Sequence, residues 1–205
     1  MVIPVRRGFP GGPPADRQDF ERDADDLAPL LGDCGHLVGF SYGGVGAALL
    51  AGREPARVAS LTLIEAPIYK AAPDHAAVRE IIASGDAVLA GNADEETERR
   101  FLINAGMDPD ALTGRRRQLI QESIEASRGG RSPSEADPDL DAIAGADIPA
   151  MVVTGSHHDG IELLSDGLAA RLSARREILP GAGHAVPRAP GFNDLLEDFL
   201  HSAAR

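Results

Sequence analysis

Leu37-Val38-Gly39-Phe40-Ser41-Tyr42-Gly43-Gly44 is the stretch on which the fold turns. An apolar run, Leu37 to Phe40, meets a serine bracketed by glycines, and the small and apolar residues Val45-Gly46-Ala47-Ala48-Leu49-Leu50 follow at once. Strand, tight turn and helix in that order form the setting that a G-x-S-x-G nucleophile elbow requires. The serine of such an elbow occupies a strained turn with its hydroxyl clear of the sheet. Gly39 and Gly43, having no Cβ, are expected to let strand and helix approach each other. The N–H of Tyr42 then stands at a helix N-terminus, placed to donate to a developing oxyanion. A glycine-rich turn with an incidental serine would account for the bare motif, but not for the strand before it and the small-residue helix after it.

Upstream, Phe20, Ala24, Leu27 and Leu31 recur at helical spacing with acids on the other face, which predicts a helix beginning near Asp16 and ending at Gly32. Arg6 to Pro14 has the glycine and proline content of a loop. Val2 to Val5, interrupted by Pro4, predicts a short strand at a sheet edge, because proline cannot donate to a ladder. Downstream, Val58 to Ile64 is a near-continuous apolar run, as expected of a parallel strand buried on both faces.

Residues 67–147 contain no convincing strand. Val78, Ile81, Ile82, Val88 and Leu89 mark one helical stretch, and Phe101-Leu102 and Leu119-Ile120-Ile124 mark two more, followed by a linker-like segment from Ser127 to Asp139. A crossover between parallel strands needs a single helix, so this region is expected to be a helical cap insertion. A strand returns at Ala150–Thr154, then the loop Gly155 to Gly160, then a helix marked by Ile161, Leu164, Leu168 and Leu172. Glu177-Ile178-Leu179 predicts a short strand leading into Pro180-Gly181-Ala182-Gly183-His184, and Phe192, Leu195, Leu196, Phe199 and Leu200 predict a closing helix. The expected fold class is α/β, a mostly parallel sheet flanked by helices, with residues 1–66 and 148–205 as core and 67–147 as the inserted cap.

The 205 residues suit one domain with a sizeable core, and a hydrophobic content of 43% is that of a globular chain. A net charge of −12 argues against nucleic acid or an anionic membrane surface as partner, since phosphate binding needs a basic face. Cys34 is the sole cysteine, so no intrachain disulfide forms and a reducing compartment is compatible. The N-terminal residues show no signal-peptide h-region, and no apolar run approaches the ~20 residues of a membrane span. A cytoplasmic protein is the default expectation.

A serine hydroxyl is a weak nucleophile near neutral pH and needs a base. His184, in a glycine-rich loop after a short C-terminal strand, is the best placed; His36, His75 and His201 are weaker candidates by position. The base in turn needs a carboxylate to fix its tautomer. Glu65, after Val58–Ile64, and Asp159, after Met151–Thr154, both follow the C-terminal ends of strands, where sites of α/β sheets form. Both stay open, with Glu65 slightly ahead.

With these residues in view, the chain resembles the C-terminal three-quarters of an α/β-hydrolase-superfamily enzyme of the serine-esterase kind. The resemblance rests on Arg6-Arg7-Gly8-Phe9, the Phe20–Leu31 helix, Gly39-Phe40-Ser41-Tyr42-Gly43-Gly44, Leu61-Thr62-Leu63-Ile64-Glu65-Ala66-Pro67, and Gly181-Ala182-Gly183-His184. It implies Ser41 as nucleophile, His184 as base and the Tyr42 N–H as oxyanion donor, acting on a small carboxylic ester or related acyl substrate, with no cofactor. Family members usually carry the acid after the strand matching Met151–Thr154, often as Gly-x-x-Asp; Asp159 lies one residue beyond that spacing. Some haloalkane-dehalogenase-like members instead use a glutamate after the strand that here ends at Ile64, although the aspartate nucleophile of dehalogenase chemistry is replaced here by Ser41. The family's first three strands and its His-Gly oxyanion loop have no evident counterpart, so the fold is expected to be truncated at its N-terminus and the enzyme slow. Arg7-Gly8-Phe9-Pro10-Gly11 as a degenerate oxyanion loop is the rival alignment.

A non-catalytic relative that binds a ligand or partner is the alternative from a different functional class. A metal site built from His157, His158 and Asp159 has no further ligands at metal spacing, so no metal is expected. A thiol nucleophile formed by Cys34 and His36 lacks an orienting group. Absence of the preceding strands would leave Leu37–Phe40 with a free edge, so either Val2–Val5 pairs with it or a second copy of the chain does.

Overall fold

The computed structural model describes residues 1–72 and 74–203, so position 73 of the expected insertion and positions 204–205 of the expected core lie outside the described residues. Four parallel strands form one sheet in sequence order: β1 (Gly35–Phe40), β2 (Val58–Ile64), β3 (Ala150–Thr154) and β4 (Arg175–Ile178). Phe40 pairs with Ile64, and Ile64 with Val153, so the loops leaving these strands open along one edge. That edge is where α/β sheets assemble their sites.

Helices α1 (Phe20–Leu27), α2 (Tyr42–Arg53), α6 (Leu140–Gly145) and α7 (Asp159–Leu172) form the layer on one face. Their core joins Phe20, Val45, Ala48, Leu50 and Leu168 to Leu61, Leu63 and Val152 of the strands. Helix α2 suits that layer because its residues are small and apolar, and all of it from Gly44 to Ala51 is buried. On the opposite face α8 (Phe192–Ala203) sets Phe192 and Phe199 against Ile64, Met151 and Val153. Between β2 and β3 run α3 (Ala76–Leu89), α4 (Glu95–Asn104) and α5 (Gly114–Ser127), the three helical stretches the sequence indicates. No helix among the described residues is long and apolar enough to cross a membrane.

The fold departs from expectation in four places. Val2–Val5 forms no strand, and Val2, Ile3 and Val5 are exposed. Pro4 removes a donor there, and the next residues are drawn to the helical layer: Arg6 Nε donates to Asp23 Oδ2 at 2.8 Å, and Arg7 pairs with Asp26. Helix α1 starts at Phe20, four residues after the expected start near Asp16, because Asp19 caps it by accepting from the Glu21 N–H at 2.9 Å. Strand β4 begins at Arg175 and ends before Leu179, since its pairing partners Met151–Thr154 run out there. Helix α6 follows the linker-like segment directly, between it and β3, where the sequence pattern indicates no helix; Asp139 caps it, and Leu140 and Ile143 enter the core.

Among the described residues β1 pairs only with β2, and its outer edge is free. Val38 and Phe40 share the face covered elsewhere by α8, yet both are exposed.

Candidate active site

Ser41 stands at the turn between β1 and α2 with φ 52° and ψ −132°, a backbone state that a side chain rarely adopts. The surroundings hold it there. Its N–H donates to the Ile64 carbonyl at 2.8 Å, and its carbonyl accepts from the Gly44 N–H at 2.8 Å. The glycines that permit the turn are not the pair the motif suggests. A Cβ on Gly39 would fall 2.5 Å from the Gly44 Cα, and one on Gly44 would fall 2.6 Å from the Ala66 Cβ. A Cβ on Gly43 would meet nothing within 4 Å among the described residues. The close approach therefore belongs to Gly39 and Gly44, with Gly43 on the open side of the helix.

A stability contrast follows. Gly39→Ala forces backbone apart and is expected to cost about 1–3 kcal/mol or more, whereas Gly43→Ala, in an open helical position, is expected to be neutral or to gain up to ~1 kcal/mol. Thermal unfolding of the two variants checks this; an equal loss for both would contradict the packing described.

His184 lies in the turn after β4, with its Nε2 3.0 Å from Ser41 Oγ. Its ring packs 4.9 Å from the Phe40 ring, which fixes its position over the end of β1. Its Nδ1 is 3.4 Å from Glu65 Oε2. Glu65 follows β2 with φ +50°, a second strained position, and its side chain is fully buried. The Gly155 N–H donates to Glu65 Oε1 at 2.7 Å and so orients the carboxylate. Of the two acids left open by the sequence, geometry brings Glu65 to His184. Asp159 is the exposed first residue of α7 and has no hydrogen bond with His184 among the described residues.

Tyr42 begins α2, where its N–H faces outward from a helix N-terminus. Its ring is clamped: the Arg6 guanidinium lies 4.5 Å above it, and its hydroxyl donates to the Arg131 carbonyl at 2.9 Å. Burial pushes the Tyr42 hydroxyl far above its ordinary pKa and keeps it a neutral donor. Burial likewise raises the Asp23 carboxyl beneath Arg6, an effect that the ion pair with Arg6 opposes. In the loop 8–12, the N–H groups of Gly8, Phe9 and Gly12 donate to the carbonyls of Pro13, Arg6 and Phe9.

Two further segments border the site, the loop after β3 and the end of α4. His157, weighed above as a ligand beside His158 and Asp159, turns instead toward Glu65, with Nδ1 3.6 Å from Oε1. Its Nε2 donates to the carbonyl of Asn104, the last residue of α4, at 3.1 Å. A Cβ on Gly106 would strike the His157 ring at 2.8 Å, so the end of α4 lies directly against the site. The proximity of Gly155 to Glu65, and of His157 two residues on, was discoverable only from the register of β2 with β3.

The sequence profile described as the alpha/beta hydrolase family matches residues 2–192. No curated protein matches the sequence. Among solved structures, a thermophilic esterase from Thermogutta terrifontis is 20% identical, aligns over 96% of this chain and 78% of its own, and superposes with a TM-score of 0.65. The 2-hydroxy-6-oxo-6-phenylhexa-2,4-dienoate hydrolase of Rhodococcus sp. strain RHA1 is 16% identical over 95% of this chain and 77% of its own, with a TM-score of 0.65. A carboxylesterase structure from the thaumarchaeon Nitrososphaera gargenis is 13% identical over 93% and 74%, with a TM-score of 0.59. At these identities the likeness is one of fold.

Proposed function

From the premise that this chain belongs to the alpha/beta hydrolase family, we propose that it is a serine hydrolase cleaving small carboxylic esters or related acyl substrates. One observation carries the proposal: Ser41 Oγ, His184 and Glu65 form a continuous line, 3.0 Å from Oγ to Nε2 and 3.4 Å from Nδ1 to Oε2. A carboxylate only accepts, so His184 carries its proton on Nδ1, and its bare Nε2 accepts from the Ser41 hydroxyl. As Ser41 Oγ attacks the acyl carbon, its proton passes to Nε2. The developing oxyanion is met by the Tyr42 N–H. The imidazolium, held beside the buried Glu65, then returns the proton to the departing alcohol, leaving an acyl-Ser41 that water removes with the same histidine as base.

Helices α3 to α5 act as the cap over this site. The Asn104 carbonyl and the Gly106 backbone against His157 and His184 are the contacts that favour it. The second oxyanion donor is the weak point. Three amides of the loop 8–12 are already engaged, and a hydrolase with one donor in place of two is expected to be slower by ~10²–10³. Hydrolysis of p-nitrophenyl acetate and butyrate tests the proposal. Release of p-nitrophenolate above the uncatalysed rate supports it; release no faster than in buffer favours a ligand-binding relative instead.

The free edge of β1 is the surface through which a second copy associates. Gly35–Phe40 contains no lysine, acid or proline, the residues that ordinarily discourage edge pairing, and Val38 and Phe40 are exposed beside it. Sedimentation velocity is expected to show concentration-dependent dimers that Val38→Lys dissociates. Monomers at every concentration, or dimers indifferent to the lysine, would contradict this.

A further inference from the structure

His157 has no part in the ester chemistry above, yet it is built into the site. Its side chain is only 8% exposed. Its Nε2 lies 3.1 Å from the Asn104 carbonyl oxygen, which can only accept, so Nε2 carries the ring's proton in the neutral form. The Nδ1 atom is left with a bare lone pair. It is buried, has no hydrogen-bond partner among the described residues, and faces Glu65 Oε1 across 3.6 Å. Two acceptors thus confront each other with nothing between them. A proton on Nδ1 would relieve that pair alone. A metal ion would engage a third group as well, because one donor atom each of Glu65, His157 and His184 lie within 4.8 Å of one another.

The distances suit a small transition ion. Zinc bonds of about 2.0–2.2 Å at the tetrahedral angle set neighbouring ligand atoms roughly 3.3 Å apart. His184 Nδ1 lies 3.4 Å from Glu65 Oε2 and His157 Nδ1 lies 3.6 Å from Glu65 Oε1, so each histidine stands at about that spacing from its own oxygen of the one carboxylate. Two imidazoles and a carboxylate are a zinc-type donor set. Histidines that ligate metals donate their other ring N–H to a carbonyl or carboxylate, which His157 does through Asn104 before any ion arrives. The loop neighbours do not join. His158 Nδ1 accepts from the Gly160 N–H at 3.1 Å, and Asp159 faces solvent.

We propose that Glu65, His157 and His184 bind one divalent ion of the Zn²⁺ type, and that the bound ion switches the hydrolase off. The binding stands by itself; the switch rests on the roles proposed for Ser41, His184 and Glu65. Ligation through His184 Nδ1 displaces the proton on that atom, and the neutral ring carries its single proton on Nε2 instead. Nε2–H then donates to Ser41 Oγ, where catalysis needs it to accept. Glu65 is held by the ion and no longer supports an imidazolium. No net proton is gained or lost by the ring, and no bond to substrate is involved, so removal of the ion restores the hydrolase.

The experiment uses the full chain stripped of metal. Equilibrium dialysis against ZnCl₂ is expected to give one tight Zn²⁺ per chain for the wild type and for Ser41→Ala, and binding weaker by at least ~10-fold for both His157→Gln and His157→Asn. Histidine ¹⁵N NMR on the wild type, which needs no variant to fold, is expected to show Zn²⁺ shifting the Nδ1 signals of two histidines, with the Nε2 proton retained on one of them, His157, and newly acquired on the other, His184. Zn²⁺ is expected to suppress p-nitrophenyl ester turnover reversibly with EDTA, and His157→Gln, compared with its own metal-free rate, to need at least ten times more. No stoichiometric Zn²⁺ on the wild type, unchanged affinity in both His157 variants, or ligation through Nε2 would overturn the site. Tight binding without loss of turnover would overturn the switch. Binding as expected in a chain with no metal-free esterase activity would strike the hydrolase proposal and leave the site standing.

Discussion

Ser41→Ala is expected to reduce p-nitrophenyl ester hydrolysis by roughly 10⁴-fold or more, with the fold intact. The magnitude follows from what the side chain alone supplies, since removal of the nucleophile of a serine triad costs ~10⁴–10⁶ and leaves the catalysis owed to the oxyanion donor and substrate binding. The local structure gives the substitution little to disturb. Ser41 is held by its backbone, through the Ile64 carbonyl and the Gly44 N–H, and its hydroxyl bonds to His184. Circular dichroism should be unchanged. Turnover within tenfold of the wild type would show that the water or another group, and not Ser41, attacks the ester.

Glu65→Gln and Asp159→Asn are expected to part widely. Glutamine keeps the length of Glu65 but presents an amide, which can offer its N–H₂ to His184 and favour the tautomer with the proton on Nε2. The analogous change in a serine protease costs ~10⁴ in turnover, and a loss of that order is expected here. Burial adds to the effect, because the fully buried Glu65 accepts from the Gly155 N–H, and a rotated amide cannot serve both neighbours. Asp159 is exposed at the start of α7, so Asp159→Asn is expected to leave kcat/KM within about twofold, in line with the small effects of surface substitutions. Steady-state rates of both variants decide the matter; equal small losses would remove Glu65 from the mechanism.

The contrast between these two acids shows where sequence reading stopped. Both follow the end of a parallel strand, and the sequence puts Glu65 only slightly ahead. What separates them is a φ of +50° at Glu65 and one amide from Gly155, features of the register between β2 and β3. The elements with strong periodicity or continuous apolar character were legible: β2 and β3 have the limits their runs suggest, and α2 follows Ser41 as its small residues require. Val2–Val5 forms no strand because apolar content alone does not make one where Pro4 interrupts it and the flanking arginines bind α1. The motif names Gly43, while the close contact falls on Gly44, whose added Cβ would meet the Ala66 Cβ. His157 was judged with its sequence neighbours, though its chemistry lies with residues brought from β2 and α4.

Covalent labelling by a fluorophosphonate, followed by intact mass and peptide mapping of the metal-free chain, tests the central claim most directly. A reactive phosphonate needs the same activated hydroxyl and the same donor for its developing oxyanion as an ester does. The account predicts one adduct per chain on the peptide containing Ser41, lost in Ser41→Ala and slowed severely in Glu65→Gln. An unmodified chain, or an adduct on any residue other than Ser41, would contradict it.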